Sequence, residues 1–184
     1  RARQYVVKRL STELAPQYVY HSLHHTLDDV APAAERLAAL SGIEGEDLLL
    51  LMTAAYFHDI GFVVNRANHE VIGADIARTV LPGMGYQPAQ IDAICGMIMA
   101  TRLPQSPRTI LEKILADADL DLLGRADFFE RCRSFLKAGC LFLGTAGQVV
   151  VARGNFLGSG VDRIRRYMNL PNKLTLTRII LVPV

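Results

Sequence analysis

The chain has 184 residues, 51% of them hydrophobic and 21% charged, with a formal net charge of +2. That composition supplies a buried core and excludes a disordered tail, a collagen-like rod and a disulfide-held miniprotein. The longest uncharged run, Ala138 to Ala152, has 15 residues broken by glycines, against the roughly 20 apolar residues of a membrane-spanning helix.

Apolar residues recur at helical spacing through most of the chain up to residue 137. Leu27, Val30, Ala34 and Leu37 define one stripe, interrupted by Pro32, which is expected to bend or break that helix. Leu48 to Phe57 is apolar all round and predicts a central helix buried on every side. Gly61 and Pro82-Gly83 read as stops. Ile91, Ile94, Cys95 and Ile98 form the next stripe, entered at Pro88; Ile110, Leu111, Ile114 and Leu115 form another, entered at Pro107 with Ser106 as cap and stopped by Gly124. The expected fold class is all-α.

Beyond Lys137 the pattern changes. Residues 1 to 137 carry 14 Lys/Arg against 17 Asp/Glu, whereas residues 138 to 184 carry 6 basic residues and the single acid Asp162, together with 6 of the 14 glycines. Gln148 to Ala152 and Leu174 to Val182 read as short strands. The expected organisation is a helical domain over 1–137 and an extension over 138–184, which either belongs to that domain, forms an edge or a homodimer contact, or is poorly ordered. The basic end has no aromatic residues interleaved with its arginines, which argues against nucleic acid as a partner. Cys95, Cys132 and Cys140 are an odd number without ligand-like spacing, as expected of free thiols in a reducing, cytoplasmic compartment. The first residue is Arg1 and no signal pattern follows it, consistent with a piece of a longer chain.

All five histidines lie between positions 21 and 69: His21, His24 and His25, then His58-Asp59, then His69-Glu70, with Asp117, Asp119 and Asp121 further on. A buried apolar helix that ends in His-Asp needs compensation for its carboxylate: an arginine partner, with His58 capping the helix, or a metal ion. Imidazole and carboxylate donors together suit Mn, Fe, Co, Ni or Zn and argue against an all-oxygen Ca or Mg cage. The chain has no P-loop, no Gly-x-Ser-x-Gly and no Cys-x-x-Cys.

Taken together, Tyr20-His21-Ser22-Leu23-His24-His25-Thr26-Leu27-Asp28, Ala55-Tyr56-Phe57-His58-Asp59-Ile60-Gly61 and Ala116-Asp117-Ala118-Asp119-Leu120 resemble the HD superfamily of metal-dependent phosphohydrolases, over residues 5 to 137. The resemblance implies one divalent ion held by His25, His58, Asp59 and Asp119. Asp117 is the alternative to Asp119, because the two lie about 200° apart on a helix and cannot share an ion. Asp121 is expected to be solvated or capping.

His21 stands where cyclic nucleotide phosphodiesterases place a general acid, although Ser22 replaces their Asn. On a helix it would share the face of His25, four residues on; His24, about 100° away, reads as a surface or packing residue. His69 resembles the residue with which the HD-GYP branch holds additional metal, but that branch also needs a later His-His pair, and no histidine follows position 69. His69 and Glu70 are therefore expected to bond a water or the substrate, or to cap a helix. Arg102 is the candidate phosphate clamp, its alternative being a surface residue of a Pro-rich loop. The implied reaction is hydrolysis of a small phosphorylated substrate by metal-activated water, with His21, Asp59 and Arg102 as catalytic residues. A ligand-binding regulatory module and an iron-dependent HD-type oxygenase are the competing readings.

Overall fold

The computed structural model describes residues 1–18, 20–125, 140–145 and 148–153. The chain packs as two compact units, Arg1–Leu122 and Leu123–Val184, so the change of composition at residue 138 falls inside the second.

The first unit is built of helices: α1 (Ala2–Glu13), α2 (Ala31–Leu40), α3 (Gly45–Phe57), α4 (His69–Val80), α5 (Pro88–Ala100) and α6 (Ile110–Asp119), with the short α7 (Asp121–Gly124) at its end. α3 is the hub, packing against α1, α2, α4, α5 and α6. Leu50, Leu51, Ala54, Ala55 and Phe57 of α3 are buried with Val6, Ala34, Ile94, Ile98 and Leu115 from its neighbours. The burial of α3 is not complete on every side, since Leu49 is 54% exposed. Phe57 stacks on Tyr5 of α1, with ring centroids 6.0 Å apart and planes within 9°.

Local sequence sets the helix ends. Pro88 opens α5 as expected, behind a reciprocal capping box of Gln87 and Gln90. α6 does not begin at Pro107: the Thr109 hydroxyl takes the Glu112 N–H and the Glu112 carboxylate takes the Thr109 N–H, so the start moves to Ile110. Pro32 neither breaks nor kinks its helix alone. His25–Val30 form a π turn that runs directly into α2, with Ala31 N–H bonded to Thr26 O. Pro32 has no N–H for the Asp28 carbonyl, and an α turn would press its ring against that oxygen; a wider turn just before it relieves the clash.

The second unit contains an antiparallel hairpin, β1 (Cys140–Thr145) with β2 (Gln148–Arg153), in which Leu141 pairs with Ala152 and Leu143 with Val150. β2 covers the strand expected from Gln148; the strand expected over Leu174 to Val182, and Cys132, lie outside the described residues. Among the described residues no helix is long and apolar enough to cross a membrane.

Phe57 anchors the end of α3 in the core. Phe57→Ala is expected to cost about 3–5 kcal/mol in urea unfolding with chelator present, as for a fully buried aromatic; a loss below about 1 kcal/mol would contradict this role.

Candidate metal centre

Because α3 ends inside the core, the two residues that follow Phe57 are buried too: His58 is 1% and Asp59 3% exposed. Desolvating a carboxylate is costly, so its surroundings must compensate. They do so with histidines. Asp59 Oδ2 lies 3.0 Å from His21 Nδ1, 3.3 Å from His58 Nε2 and 4.0 Å from His25 Nε2, and its Oδ1 lies 3.7 Å from His69 Nε2. The arginine partner that would have explained the pair without a metal is not among these contacts.

The second carboxylate comes from the last residue of α6. Asp119 Oδ1 is 3.2 Å from His25 Nε2 and 3.6 Å from His58 Nε2. Asp117 is exposed. Asp121 is neither solvated alone nor a cap: its Oδ1 accepts from Arg36 of α2 at 2.5 Å, tying the chain just after Asp119 to the helix that follows His25. His24 is exposed and pairs with Asp28.

Hydrogen bonds fix the ring states. His58 Nδ1 is 2.8 Å from the Ala55 carbonyl, which can only accept, so Nδ1 carries the proton and Nε2 presents a lone pair. That Nε2 is buried with no hydrogen-bond partner. His69 repeats the arrangement, donating from Nδ1 to Arg66 O at 3.2 Å and turning Nε2 toward Asp59.

The cluster is a set of mutually dependent charges. Burial opposes ionisation of Asp59, but the adjoining His58 and His21 outweigh it and hold the carboxyl well below its usual range. Burial likewise works against the His25 cation, yet its hydrogen bond with Asp119 and the nearby carboxylates of Asp29 and Asp59 push it up to about 10. The His58 imidazole is raised against burial by Asp59, and Asp119 is lowered against burial chiefly by its bond with His25.

The outer side of Asp59 is shaped by one close approach. Gly61 does not stop a helix; it lies in a 3₁₀ turn, Ile60–Val63, against the first residue of α4. A Cβ on Gly61 would stand 2.0 Å from the His69 carbonyl oxygen. This contact lets α4 start beside Asp59. Glu70 follows in the first turn of α4, buried, with Oε2 3.5 Å from His69 Nδ1. Arg102 is exposed and its guanidinium lies 3.5 Å from Asn68 Oδ1, next to His69. His21 departs from expectation: it sits in a bend before the helical turn begins, not on one helical face with His25, and its ring stands perpendicular to that of His25, 6.1 Å away. Sequence reasoning missed Phe62, whose ring lies 4.2 Å from both His21 and His69 and holds them apart. It also missed Asp29, a buried acid four residues after His25.

Two sets of donor atoms, one from His25, His58 and Asp119 and one from His21, His25 and Asp59, each lie within 4.8 Å of one another. A first-row ion reaches its ligands at about 2.0–2.2 Å, so ligands of one ion stand up to about 4.4 Å apart. The spacings of 3.2 and 3.6 Å around Asp119 meet that limit. His58 Nε2, buried without a hydrogen bond while Nδ1 holds the ring proton, is the independent sign that these residues fit a divalent ion.

This helical unit and its His, His-Asp, Asp cluster define an HD-type domain. A family model described as HD domain matches residues 22–121, more than half of the chain. The chain belongs to the HD domain family. The fold is shared with the crystal structure of a predicted HD superfamily hydrolase from an uncultured Thermotogales bacterium, at a TM-score of 0.60 and 24% identity, covering 72% of this chain and 74% of that one. No curated protein matches.

Two measurements test the site. Gly61→Ala is expected to destabilise the fold by about 2 kcal/mol or more, because its Cβ meets backbone rather than a flexible side chain; an unchanged melting temperature would contradict this. Without an ion, His25 is protonated on both nitrogens at neutral pH, and an ion at Nε2 must displace one proton. Affinity for Mn²⁺, measured by calorimetry, is therefore expected to rise at least about tenfold per pH unit between about pH 6 and 8; a flat profile would refute the assignment.

Proposed function

We propose that this protein is a metal-dependent phosphohydrolase that cleaves a phosphate ester of a nucleotide or related small molecule. The observation that carries the reading is the junction of His25, His58, Asp59 and Asp119, in which His58 Nε2 is buried beside two carboxylates without a hydrogen bond. Those four residues would hold the ion. The family name and the hydrolase description of the structural neighbour support a hydrolytic reaction.

A divalent transition ion at this position supplies Lewis acidity and a nucleophilic water near neutral pH. The protein's own groups do the rest. Asp59 accepts the Nδ1 proton of His21, which orients the ring and leaves Nε2 to protonate a leaving oxygen. His69, held by its Nδ1 bond to Arg66 O, turns Nε2 toward the same carboxylate and would bond a water or the substrate there. Arg102, whose guanidinium lies beside Asn68, would bind phosphate oxygens and offset developing negative charge. The inner donors would hold one ion, with His21 kept for proton transfer. The buried thiol of Cys95 supports a reducing, cytoplasmic setting.

The test is hydrolysis of chromogenic aryl phosphate mono- and diesters with Mn²⁺, Co²⁺ or Zn²⁺. Wild type is expected to turn over one class, Asp59→Ala and Asp119→Ala to lose about 10³-fold or more in kcat with their metal, and Asp117→Ala to stay near wild type. Equal residual rates in wild type and Asp59→Ala, with metal bound to wild type, would favour a non-hydrolytic binding module.

A further inference from the structure

We infer that Asp29 is a positioning residue for the metal centre: its carboxylate takes the Nδ1 proton of His25 and so commits Nε2 of that ring to the ion. The inference rests on the metal-site reading above and concerns a residue that touches neither ion nor substrate.

The argument begins with the ring. His25 is 2% exposed, and its Nδ1 is buried without a hydrogen-bond partner. Tyr20 lies 4.6 Å from it and His58 5.5 Å, so neighbouring rings limit its rotation. The polar atom facing Nδ1 is Asp29 Oδ2 at 3.8 Å, too long for a hydrogen bond but less than about 1 Å from one. Asp29 is itself buried, 5% exposed, on the side of the ring away from Asp119.

Helical spacing creates this pairing. Residues four apart lie on one face of a helix, and His25 opens a helical turn, of π type, that contains Asp29. His25 and Asp29 stand in that relation. His24 and Asp28 form a parallel pair one residue earlier, but both are exposed, with side chains 56% and 58% accessible. The same geometry thus produces one pair in solvent and one at the centre. For an imidazole ligand, a carboxylate on the distal nitrogen fixes the tautomer and orientation and raises basicity, and losing it typically costs 10–100-fold in affinity.

Mn²⁺ affinity of the full chain, read by chelator competition, tests this with four variants. Asp29→Leu removes the acceptor from a buried site and is expected to bind about 10–100-fold more weakly. Asp29→Asn, whose side-chain carbonyl still accepts from Nδ1, is expected to recover most of that loss. Asp28→Ala should match wild type, and Asp59→Ala should bind no ion. The ring ¹⁵N spectrum of the zinc-loaded wild type is expected to place a hydrogen-bonded proton on His25 Nδ1. An Asp29→Leu affinity within about twofold of wild type, while Asp59→Ala binds nothing, overturns the role of Asp29 and leaves the metal site standing. If Asp29→Leu does not fold, the wild-type spectrum decides, and no proton on Nδ1 overturns the inference. A wild-type chain that takes up no metal overturns the site and the inference together.

Discussion

Asp59 is a carboxylate that the fold buries almost completely, and the centre is organised around keeping it ionised. In a low-dielectric interior an isolated carboxylate would take up a proton instead. Here three histidines approach one of its oxygens and His69 the other. Hydrophobic packing is what forces the arrangement, because Phe57 cannot be buried at the end of α3 without carrying His58 and Asp59 into the interior after it. The stability of the core and the chemistry of the site therefore share one structural origin.

Each side of Asp59 is delivered by a different device. On the inner side, α6 ends at Asp119 and the Arg36–Asp121 pair ties the following residues to α2, the helix that continues from the turn holding His25. That pair is largely exposed and contributes little to stability, about 1 kcal/mol or less; its effect is to constrain position. On the outer side, Gly61 admits the backbone of α4, and Phe62 then fills the gap between His21 and His69. A side chain at position 61 would hold α4 away and leave the outer oxygen of Asp59 without its imidazole.

What the sequence made legible follows from how local each signal is. The buried α3 and its His58-Asp59 ending were readable because apolar content and motif sit in one continuous stretch. The all-α class was readable from periodicity alone. Pro107 is a local signal that misplaces the start of α6, because the capping box of Thr109 and Glu112 outcompetes it. Other features needed the third dimension. Arg36 and Asp121 are 85 positions apart in the chain and meet only after α2 and α6 have packed. The π turn from His25 to Val30 is another such feature: Pro32 signals an irregularity there without saying that it takes the form of a wider turn.

The same cluster explains why it is suited to exchanging protons for a metal. Without an ion, the His25 cation lies between the carboxylates of Asp119 and Asp59 and offsets their charge. A divalent ion offers the carboxylates a stronger partner and releases the imidazole protons, so burying the site need not leave an uncompensated charge in either state. His58 is the exception that gives the balance a direction. Its Nδ1 proton is committed to Ala55, and its Nε2 finds no partner within hydrogen-bond geometry. Protons can neutralise the rest of the cluster without satisfying that atom. A cation placed between His58, His25 and Asp119 would satisfy it.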